Sequence, residues 1–141
     1  MRVNGPVRLW YRDLVSCLQA TFATVLLHAG RHAEAVRRLQ DVIGEFEKRG
    51  MVTDAALAGL DTADALLALG RRKEIMALAT RLFRVFTDAG MLTGALTAIA
   101  HIKEAAAHGT LSTADLHAVR TFLRRAERQP DLLFVPPPRN S

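Results

Sequence analysis

A set of glycines, phenylalanines and one short string recurs at a fixed spacing of 40 residues, and this spacing restricts the fold more than any other feature of the chain. Gly30-Arg31 returns as Gly70-Arg71, Glu34 as Glu74 and Phe46 as Phe86. Gly50-Met51-x-Thr53-x-Ala55 returns as Gly90-Met91-x-Thr93-x-Ala95. Repetition over such a length marks stacked supersecondary units, each of which buries its apolar face only against its neighbours.

Each unit reads as two helices. Alanine and leucine dominate the chain, only 6% of its residues are aromatic, and no run alternates in hydropathy. Alanine loses no side-chain entropy in a helix and leucine loses little, whereas strands show apolar alternation. Leu39, Val42, Ile43 and Phe46 follow one another at intervals of three and four, as do Leu78, Leu82, Phe83 and Phe86. Those two stripes are assigned to the core, with Phe46 and Phe86 plugging the gap between successive helix pairs. Gly30, Gly50, Gly70, Gly90 and Gly109 mark helix ends, and Thr53 and Thr93 are read as N-caps. The pattern predicts helices over about 7–29, 32–48, 54–69, 72–89, 93–108 and 113–128. Residues 1–128 form one helical domain in this reading, and 129–141 form an extended proline-rich tail.

The turn Gly30-Arg31-His32-Ala33-Glu34-Ala35 resembles the Gly-x-x-x-Glu-Ala turn of tetratricopeptide repeats. Gly70-Arg71-Arg72-Lys73-Glu74-Ile75 repeats it with Ile75 in place of alanine, and Ala23 and Ala63 fall where that family places a small residue. The resemblance covers roughly residues 14–109. The units are 40 residues rather than the family's usual number of about 34. They are similar in this to the longer-helix repeats of bacterial regulators and kinesin light chains. The family's early tryptophan is replaced by Gln19 and Gly59, and no proline closes a unit. The resemblance implies an all-α, right-handed α-solenoid of antiparallel helix pairs. It also implies a concave groove lined by the first helix of each pair.

Carried across position by position, that groove takes Cys17, Ala20, Thr24, Leu27 and His28 from the first layer. Leu57, Leu60, Asp64, Leu67 and Ala68 come from the second, and Thr97, Ala100, Glu104, Ala107 and His108 from the third. Asp64 and Glu104 stand 40 residues apart and should stack as an acidic stripe. The implied ligand is a peptide or protein segment, apolar with a lysine, an arginine or a free amine. The competing expectation is that these carboxylates pair with neighbouring arginines.

The two ends differ. Leu111-Ser112-Thr113-Ala114-Asp115 opens a final helix whose apolar face is Leu116, Val119, Phe122 and Leu123, with Arg120, Arg124 and Arg128 on another. It is read as the capping helix that repeat arrays need. Pro130 stops it, and Leu132, Leu133 and Phe134 are expected to pin the start of a tail holding Pro136-Pro137-Pro138, either packed back, disordered, or offered to an SH3-like partner. At the other end, Asn4-Gly5-Pro6 can start a helix that carries Leu9, Trp10, Leu14, Val15 and Leu18. No cap covers this edge. It belongs to a longer protein such as a bacterial regulator, is covered in a homodimer, or is folded over by its own helix.

Chemistry is sparse. The lone Cys17 excludes an internal disulfide and reads as a buried inert thiol. There is no phosphate-binding glycine loop, no His-Glu-x-x-His and no Cys-x-x-Cys. His28 and His32 are separated by Gly30, and His101 and His108 lack a carboxylate–histidine spacing for zinc. Asp61 and Asp64 form an acid pair read as solvated. No enzyme activity, metal or cofactor is expected. The net charge of +5 leaves nucleic-acid binding as the alternative function, through Arg37, Arg38, Arg71, Arg72, Lys73 and the last-helix arginines. The apolar stretches are too short to span a bilayer, no clean signal-peptide core follows Arg2, Arg8 and Arg12, and the expected compartment is the cytoplasm.

Overall fold

The computed structural model describes residues 18–91 and 93–138. The chain is all-helical: the described residues form six helices and no strand. Helix α1 covers 18–28; the expected helical residues before 18 lie outside the described ones. The others are α2 (His32–Lys48), α3 (Val52–Ala68), α4 (Arg72–Asp88), α5 (Thr93–Ala107) and α6 (Thr113–Ala126). From α2 onward each helix packs on the next, and α6 also packs on α3.

Five helices end in the same way. Gly30, Gly50, Gly70, Gly90 and Gly109 all have positive φ, between 69° and 79°. The amide of each glycine donates to the carbonyl three residues back, and the next amide donates to the carbonyl five residues back. At Gly50 these bonds are Gly50 N to Glu47 O, 3.1 Å, and Met51 N to Phe46 O, 2.9 Å. This is the Schellman pattern, which satisfies carbonyls that the helix leaves open. Met51 and Met91 follow the glycine directly and are partly buried against the core, which holds the phenylalanines whose carbonyls they bond.

The residue after the glycine also starts the next helix. Met51 O accepts from Ala55 N at 2.9 Å, Arg31 O from Ala35 N at 3.0 Å, and Arg71 O from Ile75 N at 3.3 Å. This overturns the expectation for Thr53. The N-cap of α3 is Met51, with no side-chain cap, and Thr53 already lies inside the helix. The Schellman turn delivers the chain in position to begin the next helix at once, so no capping side chain is required. Where the connection lengthens, a side-chain cap is present: Ser112 accepts from Asp115 N in a full capping box before α6.

The core divides in two. Leu39, Val42, Ile43 and Phe46 of α2 pack with Ala23 of α1 and with Ala55 and Ala58 of α3. The larger cluster joins α3, α4, α5 and α6 around Leu60, Leu66, Ile75, Phe86, Ile99 and Leu116. On α4 the buried stripe is Ile75, Ala79, Leu82 and Phe86. Phe83, expected in the core, lies one step around the helix and is exposed. Alanines and glycines on α3 and α5 bring helix axes close: a Cβ on Gly59 would stand 2.6 Å from Leu82 Cδ1. On α6, Leu116, Val119, Phe122 and Leu123 are all buried. The tail folds back, with Phe134 edge-on to Phe122 at 5.5 Å and tilted against His101 at 5.5 Å. Leu132 is half-buried there, its carbonyl over Gly94, while Leu133 is exposed.

One substitution should act with opposite sign at two glycines of α2 and its end. Gly44 lies inside the helix with open space at its Cβ position, so Gly44→Ala should stabilise by about 1 kcal/mol. Gly50 has φ +70°, so Gly50→Ala should destabilise by about 1 kcal/mol or more. Urea unfolding midpoints of the two variants check both signs.

Candidate functional site

A polar contact between elements lies where α6 crosses α3. Asp61 and Asp64 are three residues apart and so share one face of α3. The Arg120 guanidinium reaches both, with Arg120 Nη2 donating to Asp64 Oδ2 at 3.3 Å and to Asp61 Oδ1. All three side chains are only partly accessible, at 22% for Arg120, 26% for Asp61 and 32% for Asp64. Burial raises the Asp61 pKa above the usual aspartate value. The Arg120 charge and hydrogen bond pull it down by less, and the neighbouring Asp64 charge adds to the rise. Two carboxylates thus share one cation in a partly dry seam.

The residues assigned to the groove fall into different settings. Leu60 is 1% exposed and belongs to the core. Leu57 and Leu67 are partly buried and pack against it. Thr24 is half-buried and donates to the Ala20 carbonyl at 3.0 Å; His28 is exposed. On α5, Thr97 is exposed and donates to the Thr93 carbonyl at 2.8 Å. Glu104 and His108 are also exposed, with Glu104 Oε1 4.0 Å from His108 Nε2. Asp64 and Glu104 hold the same register but not the same surroundings, because α6 covers one and solvent surrounds the other. Cys17 lies outside the described residues.

A second polar cluster sits at the start of α6. Asp115 is buried, and its Oδ2 accepts from the Ser112 amide at 2.9 Å and from the Ser112 hydroxyl at 3.1 Å. Its Oδ1 lies 2.8 Å from His101 Nε2. An ionised carboxylate only accepts, so Nε2 carries the hydrogen in this bond. Burial alone would raise the Asp115 pKa, but the bonds from His101 and Ser112 together outweigh it and hold it below the usual aspartate value. Serine and histidine here donate to one carboxylate. A hydrolytic site needs the histidine between the hydroxyl and the acid, so the order is not that of nucleophile activation.

From the sequence, Asp115 belongs to the opening of α6, with no expected link to His101. The available signal was the capping box, which engages one carboxylate oxygen and leaves the other turned toward the preceding helix. Among the described residues, no group of three or more His, Cys, Asp or Glu side chains is placed to hold a metal ion. No helix among them is long and apolar enough to cross a membrane. Comparison of the chain with protein-family models, curated proteins and solved structures gives no match.

The two clusters should respond to pH in opposite directions. With its pKa raised by folding, Asp61 contributes stability that is full below the ordinary aspartate pKa and is lost as pH rises through the folded value. Arg120→Met leaves two partly buried carboxylates without their cation and should cost about 1–3 kcal/mol at pH 7. That loss should shrink as the pH is lowered and Asp61 takes up its proton. For Asp115, depressed by folding, the contribution is present above the ordinary aspartate pKa and is lost as pH falls through the folded value. Asp115→Asn should therefore flatten the acid limb of a stability-versus-pH curve measured by urea unfolding.

Proposed function

We propose that the chain is a non-catalytic protein-interaction scaffold of the tetratricopeptide-like kind, a right-handed solenoid of antiparallel helix pairs. Its α1, α3 and α5 surface receives an apolar peptide or protein segment that carries a cation. One observation carries this reading: α6 lays an apolar helix face along α3 and α5 and sets Arg120 over Asp61 and Asp64. The chain's own last helix is thus a segment of the chemistry that the surface accepts. Beyond α6, the same surface continues with exposed Thr97, Glu104 and His108 on α5. A ligand there meets the Glu104 carboxylate, which the His108 imidazole approaches no closer than 4.0 Å. Such a site rewards a lysine or arginine with a charge-assisted bond.

Peptides selected from a displayed random library on the full chain should be apolar with at least one lysine or arginine. Glu104→Lys changes an exposed side chain and leaves the core alone, so it should weaken the selected peptide by about tenfold or more. Unchanged affinity would remove the basis for the assignment.

A second reading, nucleic-acid association, has a specific feature in its favour. Arg71, Arg72 and Lys73 line an open cleft of about 660 Å³ with Gly70, Glu74 and Gly109. Arg71 is already engaged by Glu74 at 3.8 Å, and no aromatic side chain lines the cleft to stack a base. Binding of single-stranded DNA that falls steeply with salt, and falls again in a Lys73→Ala variant, would favour this reading over the first.

A further inference from the structure

Helix α1 exposes Leu18, Phe22 and Val25 at 60%, 47% and 56%, and these three share one face at helical spacing. The 40-residue register shows what this face is. In α3 the same positions are Ala58, Thr62 and Ala65, and in α5 they are Ala98, Ile102 and Ala105; all six are buried. Ala58 packs with Leu39, Val42 and Ile43 of α2, and Ala65 shares a cluster with Val36. Ala98 and Ile102 share the main core with Ile75, Ala79 and Leu82 of α4. The face is therefore the one by which a layer accepts the helix of the layer before it. Inside the stack its residues are mostly small; on α1 they are large and open.

The flanking charges say what covers it. Leu18, Gln19 and Phe22 line a cavity of about 300 Å³ with Arg38 and Asp41 of α2. The Arg38 guanidinium lies 4.8 Å from the centre of the Phe22 ring and 3.6 Å from Glu34 Oε1, half exposed and with donors to spare. By register, Asp41 occupies the place of Arg81, which reaches back across the layers to Glu47 with Nε to Oε1 at 2.8 Å. The sign is reversed at Asp41, so the surface that covers it brings a cation where the internal layer brings Glu47. Among the described residues the far end of the stack offers a polar face instead: His117, Thr121, Arg124 and Arg125 of α6 are exposed. The face itself supplies both requirements, because it carries an apolar stripe beside one cation and one anion. Such a patch is self-complementary under a two-fold axis, where Arg38 of each copy meets Asp41 of the other.

We propose that Leu18, Phe22 and Val25, with Arg38 and Asp41, form a two-fold self-association surface covered by the same face of a second copy of this chain. None of these residues belongs to the surface assigned to a peptide, so this proposal stands or falls separately.

The test is light scattering and sedimentation on the full chain over a wide concentration range. The expected result is a reversible rise in mass from one copy to two and no further. Phe22→Asp should raise the dissociation constant at least about tenfold with the helical circular dichroism unchanged, since the side chain is half exposed. Arg38→Glu and Asp41→Arg should each weaken self-association. An equimolar mixture of these two variants should restore it. In the mixed pair the introduced glutamate faces the introduced arginine across the axis, and the retained Asp41 of one copy faces the retained Arg38 of the other. A chain that stays single at every concentration would overturn the proposal. So would a dimer indifferent to all three substitutions, growth beyond two copies, or a mixture that dimerises no better than its components.

Discussion

The left-handed glycine that ends each of the first five helices is the constraint on which the other features rest. An α-helix ends with open carbonyls, and a residue with positive φ lets the next two amides turn back to satisfy them. At Gly30, Gly50 and Gly70 the residue that completes this turn also begins the following helix. The connection shrinks to a helix end, a glycine and one further residue, which forces successive helices to lie side by side. At Gly50 and Gly90 a methionine follows and returns an apolar side chain to the core. At Gly30 and Gly70 an arginine follows, and each pairs with a glutamate three residues on, Arg31 with Glu34 at 2.5 Å and Arg71 with Glu74 at 3.8 Å. One backbone device thus serves both kinds of turn, and the side chain after the glycine distinguishes them.

This explains which parts were legible in the sequence. A positive-φ requirement leaves a glycine in the sequence, so the helix ends could be read almost to the residue: α2 spans His32–Lys48 and α4 spans Arg72–Asp88. Helix starts were less legible wherever a backbone turn replaced a capping side chain, as at Thr53. The start of α6 could be read because Ser112 does cap it through its side chain. The core stripe of α2 followed from spacing, whereas Phe83 of α4 showed that spacing marks a sector rather than an edge. An aromatic at the sector's border can point either way, and the position of the neighbouring layer decides.

The polar contacts were the least legible, for a physical reason. Arg120 and Asp61 are 59 residues apart. Nothing local reports such a pairing, because a charged residue on a solvated face and one in a seam between helices have the same neighbours in sequence. Their environment is set by which helix crosses above, here α6 over α3. The same applies to His101, whose ring lies between Asp115 and Phe134. Each of these contacts involves α6 or the tail that follows it. The repeat register stops at Gly109, and prediction from the repeat stops with it.

The register still has force where a face has no neighbour among the described residues. A repeat makes one experiment several times over: positions 18, 58 and 98 are the same place on three helices, and the last two have the preceding layer built against them. Those two carry alanine, since an adjacent helix at close range leaves room for little else. The first carries leucine with phenylalanine a turn further on, side chains that cost free energy when left in water and gain it when covered at a wider separation. A face built of small residues is fitted to a rigid neighbour in its own chain. A face of large apolar residues flanked by charges of both signs differs in both respects from the faces that meet inside the stack. At this register position alanine inside the stack, at 58 and 98, gives way to leucine at 18, and a turn further on Thr62 and Ile102 give way to phenylalanine at 22.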